Sequence, residues 1–323
     1  MIADLLAWRL RRGEVNRYYF CWGLDRQKAP PLDSLLSYAK FRTMRDARNQ
    51  IPVGTGRSNY TLLLDDKYLF WLYLQAMGHS TPPILALAQD GMLMWLHPRR
   101  TEPVTCMGDA KQSIDVFCKE VLGEKGDGVF SLQVEQGSCR INGEPAALED
   151  VARRLDTRYI LQQRVVQHAQ LAELYPGSIN TLRIVTVRDG RQFRLFSMPV
   201  LRTGIGGRVV DNWSAGGLLV LVDPASGRLR GPGRGLRGGV TACHPDTGVA
   251  FDGFRVPHYD EALDFALRLH RDFPALHSVG WDIAITDDGP TVIEGNHNWS
   301  GGLRIGLDPR FKQDFLRLFA ARR

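Results

Sequence analysis

Gly280-Trp281-Asp282-Ile283-Ala284-Ile285-Thr286, then Asp287-Asp288-Gly289, then Val292-Ile293-Glu294-Gly295-Asn296: two apolar, β-branched runs flank a turn of Asp and Gly, which is the pattern of a β-hairpin. With the turn centred on Asp288, Asp282 and Glu294 stand directly opposite each other. Asn296, two residues further on, shares their face. Like charges placed opposite destabilise a sheet unless something compensates them. A hard divalent cation does so, because Mg²⁺ takes a few carboxylate oxygens and completes its shell with substrate phosphates. The plainer alternative is a solvent-facing acidic pair on an edge hairpin.

Outward from this hairpin, the region after Asn180 reads as further hairpins, 182–187 with 193–200 about Arg188-Asp189-Gly190, and 218–222 with 227–230. An amphipathic helix is predicted over 260–272. Arg183 lies inside the apolar run Leu182-Arg183-Ile184-Val185. A buried arginine needs an anionic partner, either a phosphate or an internal carboxylate. Further upstream, Val116-Phe117-Cys118-Lys119 leads into Gly123-Glu124-Lys125-Gly126-Asp127-Gly128. A lysine leaving a strand ahead of a glycine-rich loop can meet phosphates, the loop through its backbone N–H groups. The segment is neither a Walker A loop nor a dinucleotide fingerprint, and an ordinary glycine turn with a solvated lysine is the alternative. Lys67 follows Asp65-Asp66 at a predicted helix start, where a cation opposes the helix dipole. That helix carries Leu69, Leu72, Tyr73 and Ala76 at helical spacing and ends at Gly78. Strands are predicted at 114–118, 129–134 and 159–165, a helix at 148–155, and helical, Arg-rich sequence over 1–60. Strands and helices mix without strict alternation, so the fold class is α+β.

The 323 residues are 44% hydrophobic and 24% charged, which excludes wholesale disorder. The five cysteines are odd in number and scattered, without C-x-x-C, so neither a disulfide framework nor a zinc site is signalled. Reduced thiols in a cytoplasmic protein are the expectation. No transmembrane segment is expected, because the longest uncharged stretch, 68–89, contains Gly78 and Pro82-Pro83. Residues 1–12 carry Asp4 early and arginines after the apolar residues, the reverse of a signal peptide. They suit a helix packed on the protein, with a membrane-surface helix as the alternative. The net charge of +6 rests on 34 Arg and 7 Lys. No helix-turn-helix, zinc or RNP-like pattern accompanies it. No nucleic-acid partner is expected, and an anionic small substrate explains the sign equally well.

Taken together, Asp66-Lys67, Lys119 with its glycine loop, the linker strand Leu161-Gln162-Gln163-Arg164-Val165, Arg183, and the closing Asp282, Glu294 and Asn296 resemble the ATP-grasp superfamily. The match covers about residues 65–302. Within it the chain looks most like the sugar-transfer-associated ATP-grasp group, through Ser178-Ile179-Asn180-Thr181-Leu182-Arg183, Asn212-Trp213-Ser214-Ala215-Gly216-Gly217 and Gly280-Trp281-Asp282-Ile283. The resemblance implies an ATP-grasp fold of two α+β subdomains, 61–160 and 161–323, clasping ATP after a short, mainly helical N-terminal region, 1–60. Lys67 and Lys119 would hold phosphates, with Gly123, Gly126 and Gly128 closing over them. Gln162, Gln163 and Val165 would meet adenine and ribose. Relatives often carry Glu at the Gln162 position. Asp282, Glu294 and Asn296 would hold Mg²⁺, and Arg183, with Lys119, would serve the transferred phosphoryl group. Asn212, Asn298 and Arg304 are candidates for holding substrate.

The resemblance further implies a carboxylate–amine ligase that uses ATP and Mg²⁺ through an acyl phosphate. Its acid and amine would be small molecules (a sugar acid, amino sugar or amino acid) in polysaccharide or glycoconjugate synthesis. Phosphoryl transfer needs positioning and charge neutralisation rather than covalent help, which suits this residue set. An ATP-grasp phosphotransferase acting on a hydroxyl, a ligase acting on a peptide or carrier, and a non-catalytic binding protein are the alternatives.

Overall fold

The computed structural model describes residues 2–25, 30–49, 51–53, 56–58, 60–109, 113–123, 128–135 and 137–320. The chain divides into two compact units, one formed by residues 1–62 with 167–323 and the other by residues 63–166. No helix among the described residues is long and apolar enough to cross a membrane.

The first unit begins with α1 (Ile2–Arg12) and α2 (Tyr38–Asn49), followed by the short strands β1 (Ile51–Val53) and β2 (Gly56–Ser58). Trp8 of α1 and Phe41 of α2 are buried in the unit's core, while Ile2, Leu6 and Leu10 face solvent. The hydrophobic periodicity of α1 thus packs one face on the protein, as the sequence suggests.

The second unit opens with α3 (Leu62–Asp65) and α4 (Lys67–Ala76). Asp66 caps α4, its carboxylate accepting from the backbone N–H of Tyr68 at 3.0 Å and Leu69 at 2.9 Å. Such a cap stabilises a helix by about 1 kcal/mol. Gly78, at φ +72°, takes the left-handed position that ends it. The strands are β3 (Ile84–Gln89), β4 (Met92–Leu96), β5 (Arg99–Pro103), β6 (Ile114–Glu120), β7 (Phe130–Glu135), β8 (Ser138–Ile141) and β9 (Glu144–Ala146), then, after α5 (Leu148–Arg154), β10 (Tyr159–Gln163). They form one sheet in the order β5-β4-β3-β10-β6-β7-β8-β9. One face buries Val116, Cys118, Leu132 and Leu161 under Val151 and Leu155. The other packs Ile84, Val121 and Ile160 against Trp71 of α4.

The chain returns to the first unit through α6 (Ala169–Leu174), β11 (Thr181–Asp189), β12 (Gln192–Leu195), β13 (Val200–Thr203), β14 (Leu218–Val222), β15 (Leu229–Arg234) and β16 (Val240–Thr241). It closes with α7 (Tyr259–Asp272), β17 (Ser278–Thr286), β18 (Gly289–Asn296), α8 (Gly302–Leu307) and α9 (Phe311–Phe319). The sheet order is β16-β15-β14-β13-β11-β17-β18, with β12 paired to β11. Ala262, Phe265, Ala266 and Leu269 recur at i, i+3, i+4 and i+7, so α7 has one buried stripe. It covers the face that carries Trp281, whose ring lies 6.3 Å from His270 and 5.5 Å from Phe273. The opposite face carries Val185, Val187 and Leu221, and at that end the N-terminal aromatics and α8 and α9 close over it. The architecture is α+β, as read from the sequence.

The closing hairpin differs in one detail from its sequence reading. The turn is tighter, with Thr286 paired to Gly289, so a regular ladder would set Asp282 opposite Ile293. A β-bulge between Asp282 and Ile283 restores the alignment of Asp282 with Glu294. The acids face each other because of that extra residue, a device common beside functional sites.

Candidate active site

On β17, Asp282 is 2% exposed. Its neighbour in register on β11 is Arg183, whose Nε donates to Oδ1 and whose Nη2 donates to Oδ2 at 2.7 Å. A second guanidinium arrives from β13, where Arg202 Nη1 donates to the same Oδ2 at 2.5 Å. Arg202 also meets Asp211 at 3.2 Å, and the Thr181 hydroxyl donates to that carboxylate. Asn296 Nδ2 donates to Glu294 Oε1 at 3.2 Å and to the Gly280 carbonyl at 3.3 Å. One sheet face therefore gathers Arg183, Asp282, Glu294 and Asn296, joined by Arg202 and Asp211. The sequence reading missed the last two. Arg202 gives the same signal as Arg183, a guanidinium inside an apolar strand (Val200-Leu201-Arg202-Thr203).

The electrostatics follow from this crowding. Burial raises the Asp282 carboxyl, but the charges of Arg183 and Arg202 outweigh it and hold the group well below the usual carboxylate range. Burial and then the negative charge of Asp282 push Glu294 up. Burial opposes the charge on Arg202, but Asp211, Asp282 and Glu294 together raise it above an ordinary arginine. A hydrogen-bonded pair with one low and one raised carboxyl responds strongly to any added cation. The donor set is oxygen only, two carboxylates and an amide, which suits a hard ion such as Mg²⁺.

Gly280 leaves room for this arrangement. A Cβ there would lie 2.6 Å from Trp299 Cβ and 3.3 Å from Arg183 Cδ. Arg304 is 3% exposed and donates to the carbonyl oxygens of Met198 at 2.7 Å, Arg183 at 2.8 Å and Ser300 at 3.4 Å. These bonds clamp α8 to β11. Burial and then Arg183 push the Arg304 pKa down to about 9, which leaves it charged at neutral pH. Asn212 caps the turn Trp213–Ala215, its side chain accepting from Ser214 N at 3.2 Å. Asn298 is exposed, and its carbonyl accepts from Arg45 at 2.7 Å.

In the second unit, Lys119 Nζ donates to Gln162 Oε1 at 2.7 Å, across the β6–β10 pair. Gln162 Nε2 in turn donates to the Pro82 carbonyl at 3.1 Å. The amide is thus a holder for Lys119. Lys67 N donates to the Val121 carbonyl at 3.1 Å, which fixes the start of α4 at the end of β6, and Lys67 Nζ donates to the Gly123 carbonyl. Gly128 sits at φ +72°. Gly126 and the rest of 124–127 lie outside the described residues. Gln163 is exposed, its N–H donating to the Pro83 carbonyl at 2.8 Å, and Val165 is half-buried.

Comparison with known proteins returned no significant match among curated sequences. Among solved structures, the chain resembles an N5-carboxyaminoimidazole ribonucleotide synthetase in its ADP complex (11% identity, 72% of this chain, 45% of that one, TM-score 0.43). It also resembles a D-alanyl-alanine synthetase A from Vibrio cholerae (11%, 80% and 66%, TM-score 0.44). A third is an L-amino acid ligase from Bacillus licheniformis (13%, 80% and 45%, TM-score 0.40). The chain spans about half to two thirds of the length of these proteins. The sequence profile of one family, described as sugar-transfer associated ATP-grasp, matches residues 54–313. That span takes in residues 63–166 and the strands that carry Arg183, Arg202, Asp282, Glu294 and Asn296, and on that match the chain belongs to the sugar-transfer-associated ATP-grasp family.

Proposed function

We propose that this protein is an ATP- and Mg²⁺-dependent carboxylate–amine ligase. It would act through an acyl phosphate on a sugar acid, amino sugar or amino acid in polysaccharide or glycoconjugate synthesis. The observation that carries the reading is the buried Asp282–Glu294 pair faced by two arginines on neighbouring strands. Two carboxylates and two guanidiniums on one face are matched to a phosphoryl group and its counter-ion, and poorly matched to a neutral ligand.

In this reading Lys67 and Lys119 bind ATP phosphates, with Gly123, Gly126 and Gly128 beside them. Gln162 keeps Lys119 extended, and Gln163 and Val165 flank the nucleoside. Asp282, Glu294 and Asn296 hold Mg²⁺, which when bound neutralises phosphate charge. Arg183 and Arg202 stabilise the transferred phosphoryl group. The γ-phosphoryl bond to ADP breaks as a substrate carboxylate oxygen bonds to phosphorus. The amine nitrogen then bonds to the acyl carbon, phosphate leaves, and the amine gives up a proton.

The test is turnover with ATP and Mg²⁺ against pooled uronic acids, amino acids and amino sugars, with Asp282→Asn and Lys119→Ala as controls. ADP together with an adduct lighter than its two parents by one water supports the ligase. ADP with a phosphorylated acceptor replaces it by a phosphotransferase. Absence of ATP binding by calorimetry overturns both.

A further inference from the structure

Arg183 and Arg202 reach Asp282 in different ways. Arg183 stands beside it in register, one strand away, and donates to both carboxylate oxygens through Nε and Nη2. It pairs with no other carboxylate among the described residues. Arg202 lies on β13, two strands away, which is about 9.5 Å at the usual strand spacing. Its side chain crosses β11 and places one nitrogen, Nη1, on Oδ2 at 2.5 Å. Its other terminal nitrogen, Nη2, meets Asp211 Oδ1 at 3.2 Å.

Asp211 is itself held in place. Thr181 is the register partner of Arg202 across β11 and β13, and its backbone N–H, at 3.2 Å, and its hydroxyl both donate to Asp211 Oδ2. One guanidinium thus bridges a carboxylate of the metal-binding face and a second carboxylate anchored on the loop after β13. On Asp282, three hydrogen bonds from the two arginines and one shared with Glu294 take up all the acceptor capacity of the group. A divalent cation on that carboxylate competes with the guanidiniums for the same lone pairs and the same charge. The donor held most weakly gives way first. That donor is Arg202, which has one bond to Asp282, the longer reach and a second partner already in contact.

We infer that Arg202 is the counter-ion that a divalent cation displaces from Asp282, and that Asp211 is the positioning residue that keeps Arg202 at the site when this happens. The inference rests on the ligase reading, which assigns the cation to Asp282, Glu294 and Asn296. Held by Asp211 through Nη2, Arg202 has Nη1 and a full charge to offer a phosphoryl oxygen on the same sheet face. Without a cation, the same guanidinium neutralises a carboxylate pair that burial would otherwise penalise.

Mn²⁺ uptake by the full chain, with and without ATP, tests this through the electron paramagnetic resonance signal of the free ion, since Mn²⁺ takes the same oxygen donors as Mg²⁺. Arg202→Met, or Arg202→Gln if the apolar side chain unfolds the protein, removes the competing charge and is expected to tighten Mn²⁺ binding about tenfold. Asp211→Asn leaves Arg202 with Asp282 alone and weakens Mn²⁺ about threefold, and Asp211→Glu restores part of the loss. Thr181→Val, which changes no charge and little volume, shifts the affinity in the same direction as Asp211→Asn. In the Arg202→Met chain Asp211→Asn loses most of its effect, because no guanidinium is left to keep. Equal losses in both backgrounds would mean that Asp211 acts by its charge alone, and a lower melting temperature with unchanged Mn²⁺ affinity would mean that it acts on the fold alone. Either result overturns its assignment. ATP binding by calorimetry, measured in parallel, tells a failure of the exchange from a failure of the ligase reading. If the wild-type chain binds ATP and Mn²⁺ and the Arg202 variants bind Mn²⁺ no tighter, the exchange falls and the ligase stands. If no chain takes up Mn²⁺, with or without ATP, the cation assignment in the ligase reading falls and the exchange falls with it.

Discussion

Asp282 is held by two guanidinium groups, and each of them would be left partly unpaired by its loss. A buried charge without its partner is costly, so Asp282→Asn is expected to lower the unfolding free energy by about 3–5 kcal/mol in denaturant titrations without nucleotide or Mg²⁺. Adding Arg183→Met to the same chain should recover part of that loss, because Arg183 loses its carboxylate partner with Asp282 while Arg202 keeps Asp211. A single-variant loss below about 1 kcal/mol would mean that the pair is solvated and worth no more than a surface ion pair. A second residue-scale consequence concerns His270 and His277, which are 0% and 2% exposed. Burial is the leading cause that pushes their pKa values down, to about 4 and about 3. The unfolded chain therefore takes up protons below the ordinary histidine value near 6.5 while the native state does not. The stability involved is fully present above that value and is lost as the pH falls towards about 4, at about 1.4 kcal/mol per pH unit for each histidine. Urea titrations between pH 7 and pH 5 should show this slope, and His277→Phe should remove one histidine's share of it. A slope unchanged by that substitution would rule His277 out as its source.

At the scale of single elements, the closing hairpin was legible in the sequence because a short Asp-Gly turn between β-branched runs sets local register. The bulge that brings Glu294 opposite Asp282 was not, since counting from the turn cannot tell a wider loop from a tight loop plus one extra residue. Arg202 and Asp211 were missed for a different reason. Their strand and loop reach Asp282 only through the pairing of β13 with β11, a contact that no local pattern encodes. Gly280 reads in the sequence as part of a family motif, and the structure supplies its physical reason. The strand must pass under both Trp299 and the Arg183 stem. Gly280→Ala forces a Cβ to within 2.6 Å of Trp299 Cβ, in a well-packed core with little slack. Overpacking of this kind costs about 1–3 kcal/mol. The expected outcome is a lower denaturation midpoint at unchanged m-value, together with a loss of ADP formation larger than the fraction unfolded explains. Unaltered stability with full activity would show that β17 has room to spare.

Taken as a whole molecule, the first unit is built from segments far apart in the sequence, and its N-terminal portion is core, not ornament. Phe41 lies 5.1 Å from Trp299 and 5.0 Å from Phe315, and Trp22 donates to the Gly302 carbonyl at 2.8 Å. Asn49 accepts from the N–H groups of His277 at 2.8 Å and Ser278 at 3.1 Å, and Arg45 donates to the carbonyls of Asn298 and Trp299. These contacts bracket β17, so the strand that bears Asp282 enters the sheet with its first residues held by α2. Each large side chain buried here contributes about 1.5–3 kcal/mol, and Trp8, Tyr18, Tyr19, Trp22 and Phe41 together rival the about 5–15 kcal/mol that holds a typical domain folded. Residues 63–166, by contrast, are continuous in sequence and carry both faces of their sheet with them. A chain of residues 63–166 alone is therefore expected to melt cooperatively by circular dichroism. A chain of residues 63–323 should keep that transition, lose cooperative unfolding for 167–323, and yield to limited proteolysis within that part first. If 63–323 instead resists protease throughout and melts with undiminished amplitude, the N-terminal segment only covers a core that the later strands and helices hold without it.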